Sequence, residues 1–273
     1  MATITIPGGE TIWYRKSGKG PPLIQIHGSA FGHRNFARMT PIMAENFEVI
    51  DFDLPGYGES SGSFREAGMA GLADIVFEFV TSLDCGKVHM HGTSFGAMVG
   101  VNLAAEHGDV IDRIVFSCFL AKYDLAARMM RKTWKVAARA SGMRAVTDLT
   151  SVAGFARGYY ERPEAEAQFA EMYEAFDATD PEAFIKGTET IEKTDLSPLL
   201  PRITMPTLLL AGREDNMTPF KPAPSGVGFS TIQTLLPNCE MQVLEDCGHY
   251  LVIEQPERAA ALATEFLLRP AAS

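Results

Sequence analysis

The stretch Val88-His-Met-His-Gly-Thr-Ser-Phe-Gly-Ala97 decides how the rest of the chain is read. A β-compatible run ends at Gly92, Ser94 follows, Gly96 comes shortly after, and Ala97–Ala105 has the composition of a helix. Gly-x-Ser-x-Gly between strand and helix reads as a nucleophile elbow, a turn so tight that its flanking positions leave little room for a Cβ. The serine hydroxyl is then held at a helix N-terminus, where free backbone N–H groups and the helix dipole favour developing negative charge. A pattern this short also arises by chance, so the reading depends on what the rest of the chain supplies.

Upstream, Thr3–Ile6 and Thr11–Arg15 alternate about Pro7-Gly8-Gly9 as a β-hairpin. Leu23–His27 and Glu48–Phe52 are short apolar runs of the kind buried in parallel sheets. Helical spacing marks Asn35–Ala44, Gly71–Leu83 and Ser94–His107, and Arg113–Ser117 is a further strand. Strands alternating with helices predict an α/β fold, a mostly parallel sheet with helices on both faces. From Ala121 to Leu200 the patterns are only helical, clearest at Leu125–Ala140, Pro163–Phe176 and Pro181–Glu192. Strands return at Met205–Ala211 and Met241–Leu244, with a helix at Thr231–Leu236 and a last one at Pro256–Leu268. The expected organisation is a core of residues 1–120 and 201–273 split by a helical cap insertion, residues 121–200.

The 273 residues suit one large domain with an insertion, and 46% hydrophobic with 21% charged residues is ordinary globular composition. A net charge of −10, with no basic stretch longer than Arg128–Lys135, argues against nucleic acid and acidic membrane surfaces as partners. The four cysteines, Cys85, Cys118, Cys239 and Cys247, lack metal-binding spacing and read as reduced thiols. No signal peptide and no apolar run of about 20 residues is visible, so a cytoplasmic protein without membrane contact is expected. A small-molecule substrate is the expected partner, and a homodimer is left open. No His/Asp/Glu grouping has metal-ligand spacing and no phosphate-binding glycine motif occurs, so neither a metal nor a cofactor is expected.

A serine hydroxyl attacks only when a base takes its proton, and that base needs a partner to fix its tautomer. After the strand ending at Ala211 comes Gly212-Arg-Glu-Asp-Asn-Met-Thr-Pro219; after the strand ending at Leu244 comes Glu245-Asp-Cys-Gly-His249-Tyr250. Both loops leave the carboxyl ends of their strands and so open on the rim that carries Ser94. Ser94 is therefore the expected nucleophile, His249 the base and then acid, and Glu214 or Asp215 its orienter. The oxyanion needs two N–H donors: Phe95, after the nucleophile, and one from His27-Gly-Ser-Ala-Phe-Gly32, with Ser29 first and Ala30 as fallback. His27 reads as a structural hydrogen-bonder beneath that loop. His89 and His91 are read as buried, one on each side of their strand, and Asp51, Asp53 and Ser60 as pins of the turn at Pro55–Gly58.

These residues resemble the α/β-hydrolase superfamily over nearly the whole chain. The carriers are His27–Gly32, Asp53-Leu-Pro-Gly-Tyr-Gly-Glu-Ser60, Gly92–Gly96, Gly212–Asp215, and Cys247-Gly-His249 with Glu254-Gln-Pro-Glu257. The resemblance implies an eight-stranded, mostly parallel sheet with a helical cap, and it selects Asp215 as the triad acid. Capped esterases and meta-cleavage-product (carbon–carbon bond) hydrolases are the nearest in pattern. The latter often carry His-Gly-Ser-Gly-Pro-Gly where this chain has Ala30 and Phe31. Haloalkane dehalogenases and epoxide hydrolases, with aspartate at the elbow, are set aside.

The expected activity is hydrolysis of a small to medium ester, lactone or related acyl compound through an acyl-enzyme. A carbon–carbon or amide hydrolase on the same triad is the alternative, followed by a non-catalytic ligand receptor. Ala30, Phe31, Trp134, Tyr159 and Tyr250 are the expected substrate-binding residues. Met129, Met130, Phe155 and Tyr160 are further candidates, and Arg128, Arg131 and Lys132 read as a solvated helix face, with a substrate carboxylate as their alternative partner.

Overall fold

Strands β1 (Ala2–Thr5), β2 (Thr11–Ser17), β3 (Pro22–Ile26), β4 (Glu48–Phe52), β5 (Val88–Thr93), β6 (Ile111–Ser117), β7 (Thr207–Gly212) and β8 (Cys239–Leu244) form one sheet. Their order is β1-β2-β4-β3-β5-β6-β7-β8, antiparallel at β1/β2 and β2/β4 and parallel elsewhere. The computed structural model describes residues 1–270. Burial explains the sequence patterns: β5, flanked by β3 and β6, is buried along its length, whereas the edge strand β8 alternates in exposure.

Helices α1 (Thr40–Met43), α2 (Met69–Ser82) and α3 (Phe95–Glu106) connect the first strands. Between β6 and β7 the chain leaves the sheet as α4 (Leu125–Gly154), α5 (Ala165–Asp177) and α6 (Pro181–Lys193). Helix α7 (Phe229–Leu235), the single turn α8 (Leu251–Glu254) and α9 (Pro256–Leu267) complete the fold. Helices α2, α3 and α7 pack in one apolar core cluster; α1 and α9 pack in the other, which continues into the α4–α6 excursion. Among the described residues no helix is long and apolar enough to cross a membrane.

Three local readings change. The helix expected over Leu125–Ala140 runs on to Gly154 across a kink at Gly142 (φ 75°, ψ −172°), where the backbone adopts a left-handed φ that glycine takes without strain. Beyond the kink the buried face is Met143, Val146, Thr147, Thr150, Ser151 and Gly154, helical in spacing but mostly small or hydroxylic, which hides it from a hydrophobicity pattern. The helix expected over Asn35–Ala44 is a 3₁₀ turn at Gly32–Phe36 and the short α1, whose Pro41 sits in its first turn. His89 and His91 lie on one face, not two, because strand side chains repeat every second residue: His89 packs on Phe47 at 5.8 Å and His91 on Phe36 at 5.0 Å.

Candidate active site

Ser94 is the residue between β5 and α3, at φ 53° and ψ −116°, a backbone conformation that costs an L-residue about 1–3 kcal/mol. Its N–H donates to Ser117 O of β6 at 2.8 Å, which ties the elbow to the neighbouring strand. A Cβ on Gly92 would lie 2.7 Å from Gly96 O, and one on Gly96 would lie 2.0 Å from Ile26 O. The close approach of α3 to β3 that raises Ser94 to the rim therefore requires both glycines.

Two loops from the far half of the sheet reach this serine. Ser94 Oγ is 3.0 Å from His249 Nε2, and His249 Nδ1 is 2.9 Å from Asp215 Oδ2. Asp215 Oδ1 accepts the N–H groups of Met217 and Thr218 at 2.8 Å each, and Oδ2 accepts the Thr218 hydroxyl at 2.6 Å. Burial alone pushes the Asp215 carboxyl up, but the His249 charge and the His249 and Thr218 hydrogen bonds outweigh it and hold the pKa below the usual carboxylate value. An ionised Asp215 keeps the histidine proton on Nδ1 and leaves Nε2 free to accept from the Ser94 hydroxyl. Glu214, the other acid of that loop, instead accepts the Arg157 N–H at 2.9 Å.

The His249 loop is held by Glu254, which is 3% exposed. Its carboxyl accepts N–H groups on both sides of the histidine, from Gly248 at 3.0 Å and Tyr250 at 3.2 Å, and from Ala156 beyond α4 at 3.0 Å. His249 N–H itself donates to Gly154 O at 2.6 Å, so the end of α4 and the histidine loop share a backbone seam. Burial, reinforced by the charge of Asp215 and opposed by the backbone donors, raises the Glu254 pKa to about 7. The folded protein thus keeps a proton that the unfolded chain releases near the ordinary glutamate value of 4.5, and this stabilisation fades as pH rises between those values. The stability advantage of the wild type over Glu254→Gln is expected to shrink by up to roughly 3 kcal/mol between about pH 5 and about pH 8. Denaturant unfolding of both proteins measures it; an advantage constant with pH would contradict the assignment.

On the opposite side of Ser94 runs the loop after β3. His27 Nδ1 donates to Gly28 O at 2.8 Å and Nε2 accepts the Leu54 N–H at 2.9 Å, so the ring is neutral, and burial lowers its pKa. Gly28 N–H donates to Asn35 Oδ1 at 2.7 Å, and Ala30, at φ 70°, gives its carbonyl to the Thr179 hydroxyl at 2.8 Å. The Ser29 hydroxyl is buried with no hydrogen-bond partner among the described residues. Phe95 opens α3, where a backbone N–H has no intrahelical acceptor.

A cavity opens between the sheet rim and the helical excursion, with Ser29, Phe31, Ser94, Trp134, His249 and Tyr250 in its wall. Phe31 meets Tyr250 edge-on at 5.6 Å and Phe176 at 5.0 Å. Ala30 and Tyr159 are buried outside that wall. Tyr159 stacks on Phe155 at 4.5 Å beneath Arg162, in an aromatic cluster shared with Tyr160, and Met129 is exposed. The solvated-face reading fails at Arg131, which is 3% exposed and belongs to the cavity wall, while Arg128 and Lys132 are exposed. Asp53 and Ser60 pin the turn as expected: Asp53 accepts the N–H groups of His33 and Glu59, and Ser60 donates to Asp53 O. Asp51 does not, for it accepts from Arg15 and Thr40.

Thr218, Glu254 and Asn35 go unremarked as working parts of the site on sequence alone, and Arg131 is named only as an alternative to a solvated helix face. Asp215 followed three residues later by a hydroxyl residue is the spacing of a local carboxylate turn and was the available signal for Thr218. Cys118, Asp215 and His249 also bring potential metal-ligand atoms within 4.8 Å of one another, but the carboxylate and imidazole are taken up by the hydrogen bonds above. Burial raises the Cys118 thiol well above its ordinary value, so it stays protonated.

A sheet of this order with an elbow serine, histidine and acid at its carboxyl rim is the architecture of an α/β hydrolase. The chain belongs to the alpha/beta hydrolase family, whose model matches residues 26–262. It is 24% identical over 248 residues to a pimeloyl-[acyl-carrier protein] methyl ester esterase of Vibrio vulnificus, covering 89% of this chain and 93% of that protein. It is also 24% identical over 272 residues to a 2-hydroxy-6-oxo-6-(2'-aminophenyl)hexa-2,4-dienoic acid hydrolase of Metapseudomonas resinovorans, covering 97% and 90%. In structure it is similar to the enol-lactonase of Burkholderia xenovorans, at a TM-score of 0.87 and 24% identity over 98% of this chain and 100% of that one.

Proposed function

We propose that the protein is a serine hydrolase acting on a small to medium carboxylic ester, lactone or related acyl compound. The observation that carries this reading is the hydrogen-bond line from Ser94 Oγ through His249, at 3.0 Å and 2.9 Å, to Asp215, with Ser94 and His249 in the cavity wall. In this mechanism His249 Nε2 takes the Ser94 proton as Oγ attacks the carbonyl carbon, and Asp215 stabilises the imidazolium so formed. The backbone N–H groups of Phe95 and Ser29 receive the oxyanion. His249 then protonates the leaving group, activates a water to attack the acyl-enzyme, and returns the proton to Ser94.

The excursion, residues 121–200, acts as a cap that keeps water from the reacting carbonyl, and Phe31, Trp134 and Tyr250 make the apolar part of the substrate site. A carbon–carbon hydrolase on the same triad is the second reading, supported by the dienoic acid hydrolase among the relatives. Turnover of a chromogenic short-chain ester against turnover of a dienoic keto acid separates the two. The ester is expected to be hydrolysed and the keto acid left intact; the reverse result would install the second reading, and turnover of neither, with no active-site labelling, would remove the hydrolase assignment.

A further inference from the structure

Arg131 projects from α4 into the wall of the cavity that also holds Ser94 and His249. Although 3% exposed, it forms no ion pair among the described residues; its one hydrogen bond runs from Nη2 to Tyr123 Oη at 2.5 Å, and Nε is buried without a partner. The guanidinium lies over two rings, Tyr123 at 4.7 Å and Trp134 at 4.8 Å, which hold its plane in place. The carboxylates around this corner bond to other groups: Glu192 pairs through Oε2 with Lys135 at 2.7 Å, its Oε1 being buried without a partner among the described residues, Asp215 pairs with His249 at 2.9 Å, and Asp124 caps α4 through the Ala127 N–H at 2.8 Å. A buried guanidinium without a counter-charge is strongly disfavoured, and ring stacking offsets only part of that cost.

We propose that Arg131 is a specificity residue that binds a carboxylate on the substrate, so that the natural substrate is an acyl compound bearing a free carboxylate a few bonds from the scissile carbonyl. This rests on the hydrolase reading above. A carboxylate supplies the missing counter-charge, and the rigid fork of an arginine held between rings suits a bidentate pair. With a protein net charge of −10, such a substrate gains nothing from the overall field, so recognition falls to this one local cation. The pair adds binding energy away from the reacting atoms, which shows mainly in KM.

The test compares neutral and anionic esters of matched length by pH-stat: methyl hexanoate against monomethyl adipate for the acyl side, and butyl acetate against γ-acetoxybutyrate for the leaving side. Wild type is expected to prefer the anion in one pair by about 10- to 100-fold in kcat/KM. Arg131→Met abolishes that ratio through KM, and Arg131→Lys retains part of it. A purely structural role for Arg131 lowers both members of a pair equally, and that result overturns the proposal. So does a wild type without anion preference in either pair, a measurement that needs no variant to fold. Turnover or active-site labelling without discrimination removes this inference alone; a wild type that neither hydrolyses any of the four nor labels removes the hydrolase reading with it.

Discussion

Ser94→Ala is expected to lower kcat for any ester the wild type cleaves by about 10⁴- to 10⁶-fold, leaving the residue of activity that binding and oxyanion donors alone provide. The loss should fall on kcat, because Oγ is the atom that forms the new bond and, among the described residues, no other hydroxyl bonds His249 Nε2; the Thr218 hydroxyl lies on Nδ1, at 3.1 Å. The side chain is small and makes one hydrogen bond, to His249 Nε2 at 3.0 Å, so removing it leaves the elbow's backbone bond to Ser117 O intact. The strain at φ 53° also persists, since alanine has the same backbone preference as serine. Thermal unfolding and circular dichroism should therefore match the wild type closely. A variant that keeps its fold and more than about a hundredth of its activity would place the chemistry elsewhere.

Gly96→Ala is expected to act on the fold first. The added Cβ meets Ile26 O at 2.0 Å, Ile26 C at 2.5 Å and His27 O at 2.6 Å, all backbone atoms at the end of β3. That strand pairs with β4 on one side and β5 on the other, so it cannot withdraw without breaking register on both. Helix α3 cannot withdraw either, because Phe95 to Ala104 are buried along it. Overpacking against fixed backbone of this kind costs about 3 kcal/mol or more. Whatever folds will have α3 tilted away from β3, lifting Ser94 off the His249 imidazole. Urea unfolding is expected to show a clearly lowered midpoint together with activity reduced beyond the loss of folded protein. An unchanged midpoint would mean that the elbow is looser than its geometry implies.

What could be read from the chain alone follows from how each feature is encoded. The rim carrying Ser94, Asp215 and His249 was legible because each sits just past an apolar run, and parallel strands put all such positions on one edge. The choice between Glu214 and Asp215 was not a matter of spacing. It turns on which carboxylate finds donors, and Met217 and Thr218 supply them to Asp215. The second half of α4 escaped because its buried face is built of threonine, serine and glycine, which fit against Tyr250 and Met217 by being small rather than apolar. Arg131 could not be told apart from Arg128 and Lys132 for a related reason. Between Arg128 and Lys132 it reads as one more surface charge, and only the packing of Tyr123 and Trp134 around it reveals that it faces inward.

The pH behaviour expected of Glu254 and the substrate preference expected of Arg131 concern the two ends of α4. Glu254 joins the histidine loop to the backbone at Ala156, and Arg131 joins the cavity to the start of the same helix.

The most direct measurement is labelling with a fluorophosphonate, whose phosphorus is captured by a serine only when a base removes its proton and donors hold the developing oxyanion. Mass spectrometry of the labelled, digested protein is expected to find one adduct, on the peptide containing Ser94, absent from Ser94→Ala and formed far more slowly in His249→Ala. An unlabelled wild type, or an adduct that persists in Ser94→Ala, would contradict the account.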